Sequence, residues 1–287
     1  MTARTVFTLA ALTLREAARR RVLRALALLM VVLLALSGWG FSRLAGTELD
    51  GTELTSGETR LVAAQVLNLV MFGLSLIAAL GTAFLSGPTL AGEIESGTAL
   101  AVLARPVRRS TVLLGKWLGL VAFGSGVVVV AGLAQFLIVW GTLGYWPPQP
   151  VTGLALLAAQ TTVLLTLGLL LSTVVSPMAS GVMAVGLFGA TWIAGMVGVV
   201  GQALGNEGVA AAGTVSRVLL PTDGLWRGAM NAFQDPIVLE RLGGPALKGG
   251  FAFLSSAPLT AVYLVWVGVW IVLVLGLAAL AFHRRDL

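Results

Sequence analysis

The stretch Leu90–Gly119, LAGEIESGTALAVLARPVRRSTVLLGKWLG, decides how the chain is read. It sets Glu93, Glu95, Arg105, Arg108, Arg109 and Lys116 between two long apolar runs, where a turn between membrane helices needs only a few polar residues. Gly92, Gly97 and Pro106 break it into short pieces. Leu90 with Ile94, and Leu100 with Leu103, give those pieces apolar faces, as in short helices lying across a membrane surface. Two acids followed by three arginines offer opposite charges to each other or to a docked protein; an ordinary charged loop closing on itself is the simpler alternative.

The apolar runs on either side are membrane spans. Hydrophobic residues make up 57% of the 287 and charged residues only 10%, against about 25% in a soluble domain. Mean hydropathy is +0.97. At about 20 apolar residues per crossing, six spans emerge, at about 22–41, 61–87, 112–143, 151–175, 178–200 and 259–282. Tyr145, Trp146, Pro147, Pro148 and Pro150 break the chain between the third and fourth, and Ser176 with Pro177 makes a tight hairpin between the fourth and fifth.

Sidedness follows from charge, because cytoplasmic segments are rich in Lys and Arg. With the amino terminus inside, the inner segments hold 12 of the 18 basic residues and 4 of the 12 acids. The inner side then carries +8 and the outer side −2, both termini are cytoplasmic, and Leu90–Gly119 lies inside. The net charge of +6 is therefore matched to lipid headgroups rather than nucleic acid. Before the first span, Arg4, Thr8, Arg15 and Arg19 share one side of a helical projection and Val6, Leu9, Ala10 and Thr13 another. That is either a basic amphipathic helix on the membrane face or a solvated basic tail. A cleaved signal is disfavoured by Glu16 in the long basic region and by the lack of a small-residue cleavage site.

The longest non-spanning piece, 201–257, falls outside. Within it PTDGLWRGAMNAF puts Trp226, Met230 and Phe233 on one face and Arg227 and Asn231 on another, predicting a short amphipathic helix on the outer interface. Sealing the span ends is its simplest role, and an external gate the functional alternative.

No chemistry stands out elsewhere. There is no cysteine, and the single histidine, His283, has no companion for a metal site. Trp117 follows Gly115–Lys116 where a phosphate loop needs Ser or Thr, so any ATP has to be bound by a partner. No span has an Asp, Glu, Lys or Arg in its middle, which disfavours an ion-coupled carrier. Gln65, Asn68, Gln135 and Gln160 read as hydrogen-bonding partners between helices. Gly186, Ala190, Ala194 and Gly198 read as small residues packing within the subunit, with a dimer seam as the alternative.

The polar stretch resembles the loop between the second and third spans of ABC-2 type transporter permeases, in particular the NosY-like branch. That loop carries E-x-E-x-G-T, a leucine-rich turn, R-P-x-x-R and a later G-K. Here these are Glu93, Glu95, Gly97 and Thr98; Leu103; Arg105, Pro106 and Arg109; Gly115 and Lys116. An Ala-rich run follows Thr98 where relatives often have further acids. PTDGLWRGAMNAF also resembles a segment recurring in this branch. The resemblance covers the whole chain and implies an all-α polytopic membrane protein: one ABC-2 type transmembrane domain over 1–287, with an amphipathic elbow helix at 1–21, a cytoplasmic coupling loop at 88–111 and the external segment at 201–257.

It further implies a permease subunit, not itself an enzyme, in a dimer of such subunits in the prokaryotic cytoplasmic membrane. A separate ABC ATPase subunit holds ATP and Mg. Glu93 and Glu95 then contact the ATPase, Gly97 and Thr98 shape the loop, and Arg105, Pro106 and Arg109 fix its exit into the third span. Export is favoured by resemblance, and the substrate stays open. A non-transporting anchor for a soluble complex is the alternative from another class, with a stand-alone carrier behind it.

Overall fold

A computed structural model describes residues 3–19, 21–44, 56–92, 109–237, 255 and 258–284. They form nine α-helices and no strand: α1 (Ala3–Arg19), α2 (Arg21–Leu44), α3 (Ser56–Gly87), α4 (Arg109–Leu143), α5 (Pro150–Val174), α6 (Pro177–Ala203), α7 (Glu207–Leu219), α8 (Thr222–Phe233) and α9 (Ala261–Arg284). Six are long and apolar enough to cross a membrane, namely α2 to α6 and α9, each starting and ending within about three residues of the hydropathy reading except α3, which starts five residues earlier at Ser56. Pro150 and Pro177 open α5 and α6, where a missing N–H costs nothing because the first turn has no partner for it. Pro88 follows α3, and with no N–H to bond the carbonyl of Phe84 the ladder widens into one π-helical turn, Pro88–Gly92.

α5 is the centre of the bundle, packing against α3, α4, α6, α8 and α9. Around it Leu67, Met71, Phe136, Leu157, Trp226 and Phe233 form one apolar core, and Leu85, Leu113, Leu120, Leu165, Leu169 and Phe282 a second toward the end that carries α1 and the carboxyl end of α9. We call this the loop end, because residues 92 and 109, the described margins within the polar stretch, also lie there. Polar residues inside the bundle bond between helices as their type requires away from water. Gln135 Nε2 donates to Ser37 Oγ at 2.7 Å, and Ser75 Oγ to Gln160 Oε1 at 3.1 Å.

The segment after α6 departs from expectation. At the end of α6 the Gly205 N–H bonds the Gln202 carbonyl and the Asn206 N–H the Gly201 carbonyl, a closure that needs Gly205 at φ +67. Asn206 then caps α7 by accepting from the Val209 N–H at 3.1 Å. Three residues thus reverse the chain, and α7 runs back along α6 with Gly213 against Gly198 so closely that a Cβ on either would overlap the other's backbone. Of the small-residue stripe, then, Gly198 packs within the subunit, whereas Gly186 faces open space.

Helix α8 returns outward beside α5. It forms where its sequence predicts, but it does not rest on the end of the bundle: ten of its twelve residues are buried. The two polar side chains of its expected outer face are met internally, Arg227 by Asp223 and Asn231 Nδ2 by the Ser255 carbonyl at 3.0 Å. With those satisfied, Leu225, Trp226, Met230 and Phe233 gain more from the core than from an interface. At the same end Tyr145 donates to the Phe233 carbonyl at 2.6 Å. Burial pushes its hydroxyl well above the usual range, Asp235 adding to the rise and Arg60 opposing it, so it stays a proton donor.

Candidate functional site

The site to be built is the support of the polar stretch, since only its margins are described. Glu93, Glu95, Gly97, Thr98, Arg105 and Pro106 lie outside the described residues. Arg109 is the first residue of α4. Its Nη1 donates to the carbonyls of Phe282 at 3.1 Å and His283 at 3.2 Å, and the guanidinium lies 5.9 Å from the Phe282 ring centroid. Those carbonyls belong to the last described turn of α9, where the helix dipole favours a cation. Arg109 therefore fastens the exit of the polar stretch to the carboxyl end of the last span.

Two turns on, three consecutive residues reach three different neighbours. At Gly115 a Cβ would stand 2.7 Å from Leu9 Cβ, and at Gly119, one turn later, 2.5 Å from the Ala10 carbonyl oxygen. Only glycines let α1 lie this close on α4. Lys116 is buried, 6% exposed, and its Nζ donates to the Thr89 carbonyl at 2.8 Å. Thr89 sits in the π-helical turn, with its own hydroxyl bonded back to the Leu85 carbonyl. Trp117 Nε1 donates to Thr166 Oγ1 of α5 at 2.9 Å.

The first three turns of α4 are thus a hub joining α1, the end of α3, α5 and α9. Its central tie, Lys116 to Thr89, links the two margins of the polar stretch directly. An ammonium-to-carbonyl bond in a buried setting is worth about 1.5–3 kcal/mol, more than a surface contact. The described margins of the polar stretch are therefore tied to four helices at once. Among the described residues no cluster of His, Cys, Asp and Glu is suited to a metal, and the polar side chains named here bond backbone carbonyls or a hydroxyl.

Sequence reading names Arg109 as fixing the exit into the third span, and the structure brings it to α9. It treats Gly115 and Lys116 as motif positions and Trp117 only as the break in a phosphate-loop pattern, and it passes over the packing of Thr89, Gly119 and Phe282. The one local signal was Gly115 with Gly119, two glycines at four-residue spacing on one helix face.

A family model described as ABC-2 family transporter protein matches residues 7–287, nearly the whole chain. No curated protein matches it significantly.

Proposed function

Because this chain belongs to the ABC-2 transporter family, whose membrane components are permease subunits of ABC transporters, we propose that it is the permease of an ATP-driven exporter, driven by a separate ATPase docked on residues 93–108. ATP and Mg bind the partner. In this reading the loop end is cytoplasmic, Glu93 and Glu95 make polar contacts with the ATPase, Gly97 and Thr98 shape the loop, and Arg105 and Pro106 with Arg109 direct it into α4. Closure of the ATPase pushes the loop, and the hub passes the push to α1, α3, α5 and α9.

The observation that carries the reading is the Lys116–Thr89 tie between the loop's two margins, with Arg109 fastened to α9 beside it. A loop with no mechanical duty has no need of such a foundation. Two copies are proposed to pair in the membrane, the open half of α6 around Gly186 offering a close-packing surface. The E-x-E-x-G-T and R-P-x-x-R spacing supports kinship with the NosY-like branch. The test is charge reversal: Glu93→Lys with Glu95→Lys is expected to abolish stimulation of the partner's ATPase activity while membrane insertion persists. Full stimulation by the double variant would sink the assignment.

A further inference from the structure

The vertex where α7 turns into α8 holds a charge cluster that the permease reading does not use. Arg217 Nε and Arg227 Nε both donate to the same oxygen, Asp223 Oδ2, at 2.9 Å. The Asp223 side chain is 1% exposed, and its Oδ1 accepts no hydrogen bond among the described residues. The arginine side chains are 25% and 15% exposed. Two guanidiniums against one carboxylate leave an excess positive charge.

That excess sits deep. Asp223 lies against Gly195, and the neighbouring Thr222 hydroxyl meets that of Thr191 at 2.9 Å. At 1.5 Å per residue these positions are about 12–18 Å along α6 from its Ala203 end. An arginine at such depth is costly unless something anionic meets it. The carbonyls ending α7 do not meet it, for Tyr263 takes that of Arg217 at 3.0 Å, Trp266 that of Val218 at 3.1 Å, and Trp270 that of Leu219 at 2.8 Å.

The terminal nitrogens of both guanidiniums donate to nothing among the described residues, although the two Nε atoms, sharing one oxygen, are within about 6 Å of each other. Two planar forks held side by side match the geometry of an oxyanion. We propose that Arg217 and Arg227, positioned by Asp223, bind one oxyanion group, carried either by an anionic lipid headgroup or by a small solute. Asp223 orients the forks through their inner edges and leaves the outer edges for the ligand. Exposed Val215, Val218 and Leu219 beside them suit an apolar chain attached to that group.

The test uses the full chain purified in detergent and in nanodiscs. Equilibrium binding of radiolabelled sulfate, with phosphate as competitor, probes the solute source. Thermal unfolding in phosphatidylcholine discs with and without phosphatidylglycerol probes the headgroup source. Saturable sulfate binding, or a phosphatidylglycerol-dependent rise in Tm, is expected, and Arg227→Gln is expected to weaken it about tenfold through loss of a charged fork. Arg227→Lys, which keeps charge without the fork, should recover only part. Comparing each variant in the same sulfate concentration removes the salt's general stabilising effect. Wild-type protein that binds no sulfate and ignores phosphatidylglycerol overturns the proposal without recourse to any variant.

Discussion

Gly119→Ala tests the hub at its tightest contact. A Cβ there would lie 2.5 Å from the Ala10 carbonyl oxygen, 2.9 Å from Thr13 Cβ and 3.1 Å from Ala10 Cα. Ordinary contact begins at 3.4 Å, so α1 has to retreat by about 0.9 Å or the third span has to bend. Two effects of opposite sign are superposed. Replacing glycine by alanine within a helix gains up to about 1 kcal/mol, while overpacking costs about 1–3 kcal/mol. Gly126→Ala separates them, because it lies in the same helix with nothing within 4 Å of its Cβ position. Thermal unfolding in detergent, followed by tryptophan fluorescence, should leave Gly126→Ala neutral or slightly stabilised and place Gly119→Ala about 1–3 kcal/mol below it. Trypsin should also cut faster after Arg15 in Gly119→Ala, since a loosened α1 exposes its backbone. Equal unfolding of the two variants would refute the close seating of α1 on α4.

Two other contacts give sharper local readouts. Arg109→Gln removes the cation that caps α9, so the amides of its last turn should exchange faster, with a loss of about 1–2 kcal/mol, while exchange at the middle of α9 stays unchanged. Trp270→Phe keeps an aromatic side chain but removes the indole N–H and part of its bulk, leaving the Leu219 carbonyl unmet; equilibrium unfolding should register a loss of about 1–3 kcal/mol, and an unaltered midpoint would show that α9 does not hold the end of α7.

The spans were legible because an apolar run of membrane length has few other fates. The tight hairpin at Ser176–Pro177 was legible too, since proline opens a helix as readily as it stops one. The return of α7 was not read, although Gly205 and Asn206 carry its whole turn. Thirteen residues are too short to span, and EGVAAAGTVSRVL is too mixed to stand out by hydropathy. The sequence likewise suggests an interface for α8, because a face of Arg227 and Asn231 reads as solvated and nothing local announces that Asp223 and the Ser255 carbonyl satisfy it. At the hub, G-K was visible as a motif but its partners were not. Lys116 bonds a residue 27 positions earlier and Arg109 one 173 positions later, distances over which helical periodicity carries no information.

The claim that the polar stretch is where an ATPase drives this permease is tested most directly by proximity. The chain has no cysteine, so Glu95→Cys labelled with a benzophenone maleimide places a single photo-crosslinker on the loop, and Leu204→Cys, 76% exposed at the opposite end, serves as its control. With the partner ATPase subunit present, illumination should join it to position 95 and not to position 204. A crosslink of equal yield from both positions, or none from position 95, would contradict the account.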